Sequence, residues 1–451
     1  MNFAANFAKA LLNTFPALNL TESVLNEEIL NVQTKCGHIF VYLLDECCQN
    51  LYQDELSTAL SSSQAVIDLT WEKINTGYWK DVDIAWRKLY SFATIVRTLV
   101  LFKMDKLPET IKTCDLGLLL GSPVLDNVLT KIVACIQEKI RHIGGNKLTL
   151  NKFENEVEQP RSYGINSDHS GNDGINLKTP PLTECHQLIE NLSNDSHSCS
   201  QTKRAKITCN NEQNIERILC PSLSKFQNEF MDNEVPVILQ GIMDHWPARG
   251  SRQWSFNYLQ EIAGDRTVPV EIGSRYTDES WTQKLMTINE FVSGYISNSN
   301  DGKNVAYLAQ HQLFDQIPEL ANDIVIPDYC CLGNDDDADV IVNAWFGPKG
   351  TVSPLHHDPY HNLLAQVVGE KYLRIYSTTE TEKLYSHDSF LLSNTSKVDI
   401  ENPDLAKYPL FETADYKECI LKAGEMLYIP RKHWHFVKSL SVSFSVSFWW
   451  S

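Results

Sequence analysis

The chain has 451 residues, 43% of them hydrophobic, and this length predicts two or three domains. Its formal net charge of −18 argues against broad binding to a nucleic-acid backbone but is compatible with a basic protein partner. The 12 cysteines include no CxxC pair, the N-terminus lacks signal-peptide features, and no apolar run is long enough to cross a membrane. We therefore expect a soluble intracellular protein with reduced thiols, no structural zinc, and no contact with nucleic acid or membrane.

Residues 1–150 have the apolar periodicity of α-helices. One buried helix face is indicated by the i, i+3, i+4, i+7 spacing of Trp86, Leu89, Tyr90, Ala93 and Val96. Further helical runs lie at 38–48 and 124–141. The region shows no convincing repeat period. The sequence therefore predicts an all-α N-terminal domain over residues 1–150.

Residues 151–213 are dominated by Asn, Ser, Asp, Gly and Pro, as in SYGINSDHSGNDGINLKTPPL. Such a composition cannot bury enough apolar surface to offset the entropy lost on ordering, so we predict a disordered linker. Within it, Lys203, Arg204 and Lys206 form a small basic patch, which is a candidate nuclear-import signal. We expect the protein in the nucleus and also in the cytoplasm.

Residues 214–451 are rich in short strand patterns. Runs of β-branched or alternating residues predict strands at 235–241, 267–274, 340–347, 363–377, 424–430 and 441–448. Two helices are expected beside them, at 214–228 and 286–295. Many short strands with few helices between them predict a β-sandwich or barrel. The predicted fold class is therefore α+β, with an all-α domain followed by a β-rich domain over 214–451.

The segment SPLHHDPYHN places His356 and Asp358 two residues apart. In an extended strand these two side chains point to one side and His357 to the other, so the pair can bind one metal ion. His435 follows a predicted strand in YIPRKHWHFV, and a barrel can return it to the pair. Two imidazoles and one carboxylate form a ligand set of non-haem Fe(II), which leaves positions open for a co-substrate and O₂. His357 and His433 are rival ligands, and a simple hydrogen bond between His356 and Asp358 is an alternative.

An iron oxygenase of this type needs an electron source, and 2-oxoglutarate can supply it. The distal carboxylate of this co-substrate favours a lysine or arginine with a hydroxyl alongside. The residues that the sequence offers are Tyr307, Ser353, Asn362 and Lys371. Each has an ordinary alternative: Lys371 as a solvated lysine, Tyr307 as a packed aromatic, and the other two as turn residues. Spacing alone does not decide between these interpretations.

Residues 235–451 resemble the Jumonji C (JmjC) family of Fe(II)- and 2-oxoglutarate-dependent oxygenases. The similarity lies in AYLAQHQLFDQIPEL, NAWFGPKGTVSPLHHDPYHN, NTSKVDIENPDL and SFSVSFWWS; it is weaker over the N-terminal helices and absent from the linker. The resemblance implies a double-stranded β-helix, the barrel of cupins. It implies iron ligands at His356, Asp358 and His435. It also implies that 2-oxoglutarate is held by Tyr307, Ser353, Asn362 and Lys371.

The resemblance further implies a substrate site formed by Glu271, Trp281 and Trp345. A carboxylate beside indole rings suits a guanidinium, through charge-assisted hydrogen bonds and cation–π stacking. We therefore expect hydroxylation of arginine in a basic protein or peptide, such as a histone tail. The acidic run at 334–339 would attract such a substrate if it borders the site.

Three other functions are open at this point. One is demethylation of lysine or arginine by a chromatin regulator, because a hydroxylated N-methyl group is lost as formaldehyde. Another is a metal-dependent peptidase acting on histone tails, although the chain has no HExxH motif. The third is a non-enzymatic chromatin adaptor, which the intact His356, Asp358, His435 and Lys371 argue against. The sequence predicts no oligomeric state.

Overall fold

The structure is a computed structural model that describes residues 3–76, 81–154, 213–273, 281–297, 305–333 and 339–451. Nearly all of the predicted linker, its basic patch, and the acidic run except Asp339 lie outside the described residues. These expectations stay predictions. The described residues before Ile143 and after 212 form one compact unit, and the helix end beyond His142 belongs to a second.

The N-terminal region is helical, as predicted. Its described part contains α1 (Phe3–Thr14), α2 (Glu22–Cys36), α3 (His38–Tyr52), α4 (Leu56–Ile74), α5 (Ile84–Lys103), α6 (Leu107–Leu120) and α7 (Val128–Glu154). Helix α5 lies at the centre, with most of its residues buried, and packs against α2, α4 and α6. A helix that is apolar on most sides is stable only when neighbours surround it. None of the described helices is long and apolar enough to cross a membrane.

The start of α7 differs from the prediction, which placed it at 124. Leu125, Asp126 and Asn127 have positive φ angles of 52°, 53° and 50°. The left-handed backbone conformation cannot continue a right-handed helix, so the helix begins at Val128. Residues between α6 and α7 therefore form a sharp corner, defined here as residues 121–127.

The C-terminal region is built from strands. They are β1 (Arg217–Leu219), β2 (Val237–Gln240), β3 (Thr267–Ile272), β4 (Thr282–Thr287), β5 (Ala306–His311), β6 (Ile341–Gly347), β7 (Val352–His357), β8 (His361–Val368), β9 (Glu370–Tyr376), β10 (Lys417–Lys422), β11 (Glu425–Ile429), β12 (Trp434–Ser439) and β13 (Ser443–Trp450). The large sheet has the order β1-β2-β11-β8-β13-β6-β5-β3-β4, and the small sheet has the order β10-β9-β12-β7. Every pairing is antiparallel except that of β1 with β2.

The two sheets enclose a shared apolar interior. It contains Leu364, Leu427 and Ile429 from the large sheet, and Leu373, Ile375 and Val437 from the small one. The arrangement is the double-stranded β-helix that the family resemblance implies, and the α+β fold class is confirmed.

The alternation in SFSVSFWW shows why β13 occupies the middle of the large sheet. Ser445 and Ser447 face the barrel interior, where they bond Gln366 and Trp345. Phe444 and Phe448 face outward and pack on two tryptophans, Trp254 and Trp246. The period of two therefore gives the strand one polar inner face and one apolar outer face.

Several boundaries differ from the predictions, and three of these differences change an element or have a clear local cause. The helix expected at 214–228 is wrong in its first half, because β1 occupies Arg217–Leu219; helix begins at Leu223 and continues to Met231. The helix expected at 286–295 begins only at Ile288, since the two preceding residues complete β4. The run 363–377 is two strands, β8 and β9, because Gly369 turns the chain with a positive φ of 77°.

Further short helices lie around the barrel. They are Phe256–Ala263, which the sequence reading missed, Leu313–Gln316, Pro318–Ala321, and the 3₁₀ turns Pro247–Arg249, Asp328–Cys331, Thr378–Leu384, Phe390–Leu392 and Pro409–Thr413. The Phe256–Ala263 helix is capped by the Ser255 hydroxyl, which accepts a hydrogen bond from the backbone of Tyr258. This cap is a local signal that could have predicted it.

A buried ion pair connects the helical region with the barrel. Asp115 on α6 and Arg266, just before β3, are 0% and 1% exposed. One Asp115 oxygen accepts from Arg266 Nε at 2.9 Å and from Gln316 Nε2 at 2.8 Å. The other accepts from the backbone N–H of Thr267 at 2.6 Å. Because both oxygens of the buried Asp115 carboxylate accept hydrogen bonds from the barrel, the ion pair fixes how α6 sits on β3.

Asp115→Asn should destabilise the protein strongly. The substitution leaves the Arg266 charge buried without its counter-ion, and such a loss costs about 3–5 kcal/mol. Urea denaturation of the full chain, followed by circular dichroism, measures the change in the free energy of unfolding. The matched control is Asp105→Asn, which removes an exposed pair with Lys139 and should have no measurable effect. Equal effects of the two substitutions would contradict a structural role for the buried pair.

Candidate metal centre and co-substrate pocket

Strand register brings His356 and His435 together. His356 lies near the end of β7 and is the direct partner of His435 on β12. Asp358 follows β7 immediately, and its Oδ2 lies 3.8 Å from His356 Nε2 and 3.5 Å from His435 Nε2. The three ligand atoms lie within 4.8 Å of one another, and no other such group was found among the described residues. Two imidazoles and one carboxylate on one side of a cavity match the facial ligand set of Fe(II).

Both imidazoles are oriented by backbone carbonyls. His356 Nδ1 lies 2.7 Å from the carbonyl oxygen of Pro354, and His435 Nδ1 lies 3.0 Å from that of His433. These bonds fix the proton on Nδ1 and leave the Nε2 lone pair facing Asp358. Burial lowers the pKa of His435 to about 4, so this imidazole is neutral at physiological pH. The donor set therefore fits a divalent metal ion without rearrangement of the tautomers.

The two rival histidines lie elsewhere. The ring of His357 packs edge-on against Trp434 at 4.6 Å, on the opposite side of β7 from His356. His433 is buried close to His361, outside the group of three ligand atoms. Alternation along β7 turns His357 away from the site, whereas His433 lies just before β12 begins and so outside the strand that carries His435.

The co-substrate residues of the sequence analysis line the same cavity as the three ligands. Tyr307, Ser353, Asn362 and Lys371 all contribute to its wall. Lys371 on β9 is 1% exposed, and its ammonium donates to the Tyr307 hydroxyl at 3.2 Å. Burial lowers the pKa of Lys371 to about 7, which the alternative of a solvated lysine does not explain. A buried ammonium with a neutral partner is the kind of group that an anionic ligand stabilises.

Asn362 and Ser353 add two further polar groups to the lining of this cavity. Asn362 is buried, and its side-chain oxygen has no hydrogen-bond partner. Burial raises the pKa of Tyr307, and the nearby Ser353 hydroxyl opposes part of this rise. Both hydroxyls are therefore protonated and can donate to a carboxylate. The residues present fit a small dicarboxylate held beside the metal ligands.

The three predicted substrate residues differ in how they relate to this cavity. Trp345 lines it, and its ring lies 6.1 Å from that of Tyr307. Glu271 is the direct strand partner of Tyr307, so the two side chains share one face of the large sheet. Burial raises the pKa of Glu271. Trp281 packs beside Gly273 at the end of β3 rather than in the cavity wall. Its indole offsets part of the rise in the pKa of Glu271, although the indole N–H makes no hydrogen bond of ordinary geometry.

The sequence analysis missed the apolar part of the cavity. Leu364, Ile429 and Val437 complete its wall between the co-substrate residues and the metal ligands. The strands of Leu364 and Ile429 were predicted and that of Val437 was not, but in all three cases an aliphatic residue carries no chemical signal that separates a cavity wall from ordinary core. Their effect is to keep water away from the polar groups.

Comparison with known proteins decides the family. A "Cupin-like domain" family model matches residues 223–451, and a "KDM8-like, N-terminal ARM repeats" model matches residues 46–149. The chain is 44% identical to "Lysine-specific demethylase 8" of Danio rerio, over 90% of this chain and 92% of the relative. It belongs to the JmjC family of cupin-like proteins. The "Lysine-specific demethylase 8" of Xenopus tropicalis is also 44% identical, again over 90% and 92%.

A third relative, "Jumonji C domain-containing protein 5" of Drosophila melanogaster, is 35% identical over 86% of this chain and 85% of its own. Membership of the family makes this JmjC protein a Fe(II)- and 2-oxoglutarate-dependent oxygenase, which confirms the predicted enzyme class. The sequence analysis found no convincing repeat in the N-terminal region, and the match to a model of ARM repeats shows that this conclusion was wrong. The names of the two relatives at 44% identity support demethylation, the alternative in the sequence analysis, better than the arginine hydroxylation that was preferred there.

His356→Ala should lower the affinity for Mn(II), a redox-stable substitute for Fe(II), by more than about 100-fold, the upper end of losses caused by supporting residues alone. Isothermal titration calorimetry measures this affinity. His357→Ala is the matched control, because this neighbouring histidine packs on Trp434 away from the site and should leave the affinity unchanged. Tight Mn(II) binding by the His356 variant, or weak binding by the control, would show that the ligands are assigned incorrectly.

Proposed function

We propose that His356, Asp358 and His435 bind Fe(II), and that Tyr307, Ser353, Asn362 and Lys371 hold 2-oxoglutarate in the same cavity. The observation that carries this proposal is the convergence of all seven side chains, from five strands and one loop, on one lining. The anionic co-substrate would give the buried Lys371 ammonium a counter-ion. In a low-dielectric site such a pair is much stronger than in water.

When bound, Fe(II) with 2-oxoglutarate and O₂ supplies the oxidising power to hydroxylate a C–H bond. The chain's own residues orient the reactants. The backbone carbonyls of Pro354 and His433 hold the two imidazoles in position, and Tyr307 holds the Lys371 ammonium. The aliphatic wall of Leu364, Ile429 and Val437 excludes water.

We infer that the group oxidised belongs to a basic side chain of a protein. Glu271 supports this inference, because burial disfavours its charged form and a cationic substrate would restore that form. Trp345 offers an aromatic face beside it for a cation–π contact. The net charge of −18 would also attract a basic partner such as a histone tail.

Demethylation of N-methylated lysine is the reaction that we propose first. It is supported by the names of the two relatives at 44% identity, both lysine-specific demethylases. Hydroxylation of the N-methyl carbon breaks one C–H bond and forms one C–O bond. The resulting N-hydroxymethyl group then loses formaldehyde, and the proton of its hydroxyl returns to the lysine nitrogen. A role in chromatin, and hence a nuclear location, would follow from this activity.

Hydroxylation of unmodified arginine is the second candidate. Glu271 favours it, because one buried carboxylate can accept two hydrogen bonds from a guanidinium, whereas a methylated ammonium has fewer donors. Both reactions use the same metal centre and co-substrate. They differ only in the substrate and its product.

Peptides that contain dimethyl-lysine or arginine test the function directly. The native chain is loaded with Fe(II) without oxygen, then given 2-oxoglutarate and air, and the peptides are analysed by mass spectrometry. We expect loss of one CH₂ unit for each methyl group removed from lysine. A gain of one oxygen on arginine would instead establish the second candidate. Backbone cleavage without 2-oxoglutarate would establish a peptidase, and no product from any peptide would contradict the proposed function.

The affinity for 2-oxoglutarate should depend on pH through Lys371. The pKa of this ammonium is lowered to about 7 in the free chain, and a bound carboxylate raises it. Below pH 7 the lysine is already charged, so the dissociation constant should be constant. Above pH 7 binding must take up a proton, so the constant should rise by up to about tenfold per pH unit. Calorimetry with Mn(II), in two buffers of different ionisation enthalpy, measures both affinity and proton uptake.

Lys371→Met provides the control for this pH dependence. It keeps the length of the side chain but removes the charge, so it should weaken binding below pH 7 and abolish proton uptake above it. Lys422→Met, on the exposed end of β10, should behave like the native chain. Proton uptake that persists in the Lys371 variant would assign the titration to another group.

A further inference from the structure

A wide groove runs between the helical region and the inner face of the large sheet. Its volume is about 740 Å³, which is large enough for a peptide segment. The helical wall is the end of α6 with the following corner, including Leu118–Leu120, Ser122 and Pro123. The sheet wall includes Pro269, Gln283, Ile341, Asn343 and Trp449.

The groove is continuous with the active-site cavity. Asn343 in the groove and Trp345 in the cavity alternate on one face of β6. Trp449 in the groove is the direct strand partner of Asn362 in the cavity. Pro269 precedes Glu271 by two residues on β3, again on one face. Three strands therefore carry the same surface from the groove to the metal site.

The chemistry of the groove suits an extended polypeptide. Its lining carries the side-chain amides of Asn127, Gln283, Gln310, Gln312 and Asn343. Such amides can both donate to and accept from a peptide backbone. Asp315 adds an acid, and the described lining contains no lysine or arginine. A neutral or basic segment is therefore favoured over an acidic one.

Two buried donors beside the groove have no partner. Asn343 is 3% exposed and Trp449 is 6% exposed, yet neither Asn343 Nδ2 nor Trp449 Nε1 makes a hydrogen bond. Unpaired buried donors cost free energy, and peptide carbonyls are the acceptors that would satisfy them. The Asn343 amide can turn about χ2 to meet such a carbonyl.

Gln310 gives a third indication. It lies at a bulge in β5, has a positive φ of 46°, and exposes its side chain. Bulges of this kind redirect a side chain and interrupt regular pairing, often beside binding sites. Here the bulge places an amide on the rim of the groove.

The helical wall is held rigidly. Arg87 on α5 donates to the carbonyl of Leu120 at 3.0 Å, and Ser91 bonds both the N–H and the carbonyl of Ser122. The ion pair of Asp115 with Arg266 anchors α6 on the barrel nearby. A fixed wall can discriminate between segments that enter the groove.

We propose that this groove binds the substrate polypeptide, in extended form, beside the basic side chain that enters the active site. The helical region thereby recognises the residues that flank the modified position. The proposal depends on the proposed function for the identity of the substrate. The test measures peptide binding rather than oxidation, so the groove proposal and the proposed function can fail separately.

The test compares long and short probes on the full chain. The long probes are a fluorescent pool of peptides, randomised except for a central dimethyl-lysine or arginine; the short probes are the matching acetylated tripeptides. Fluorescence anisotropy is measured with Mn(II) and 2-oxoglutarate, which prevents turnover. We expect the native chain to bind the long pool about tenfold more tightly than the tripeptides, a difference of about 1.4 kcal/mol.

Two variants locate the extra affinity. Leu119→Lys places a positive charge on the helical wall, which would repel a basic segment, and Asn343→Leu removes an unpaired donor from the sheet wall without a loss of packing volume. Each should weaken binding of the long pool about tenfold and leave tripeptide binding unchanged. Leu69→Lys, at an exposed leucine of α4 outside the groove, is the matched control and should change neither. Thermal melting confirms that each variant is folded.

Equal affinity of the native chain for long and short probes would overturn the groove proposal. Native-like binding of the long pool by both variants would also overturn it. Peptide oxidation is measured separately on the same chain. Binding that depends on length and on the groove, without oxidation of any probe, would refute the proposed function but support the groove.

Discussion

The antiparallel register of β7 and β12 is the constraint on which the site depends. It sets His435 opposite His356, and the residue after β7 then delivers the Asp358 carboxylate. A slip of one residue would turn every side chain of a strand to the other face, so His357 would replace His356. Packing on both faces of β12 prevents such a slip, because Val437 would leave the barrel interior and the bulkier Phe436 would have to enter it. Packing energy and metal geometry are thus determined by one register.

The same interior explains the unusual state of Lys371. The side chain lies on β9, which pairs with β12, and it is enclosed on all sides with a phenol as its neighbour. Desolvation makes this ammonium costly until a carboxylate arrives. The barrel tolerates the free-energy cost of the buried ammonium because β9 is paired on both edges, with β10 and with β12. A co-substrate site is therefore built by strands whose stability comes from elsewhere in the barrel.

The helical region is bonded to the part of the barrel that carries the substrate side of the cavity. One buried carboxylate, Asp115, accepts bonds from the segment that begins β3 and from Gln316 beside β5. Strands β3 and β5 in turn carry Glu271 and Tyr307. Because these contacts are buried and directional, α6 is fixed relative to the substrate side of the cavity. This arrangement gives the groove its two walls.

Much of this site could be predicted from the sequence, for identifiable reasons. The spacing of His356 and Asp358 relies on strand alternation, which is a local property, and β13 shows the same alternation from Ser443 to Phe448. The choice of His435 over His433 needed the pairing of two strands, which spacing does not encode. The bond between Asp115 and Arg266 joins residues 151 positions apart, and neither has a local signal. The armadillo-type repeats were missed because packing, not residue identity, defines their period.

The most direct test of the central claim is a crystal structure of the full chain with Mn(II) and 2-oxoglutarate, with anomalous data collected at the manganese edge. The account predicts one strong anomalous peak within bonding distance of His356 Nε2, Asp358 and His435 Nε2. It also predicts density for the co-substrate that ends at the Lys371 ammonium. A peak at His433 and His361 instead, or a co-substrate carboxylate away from Lys371, would contradict it.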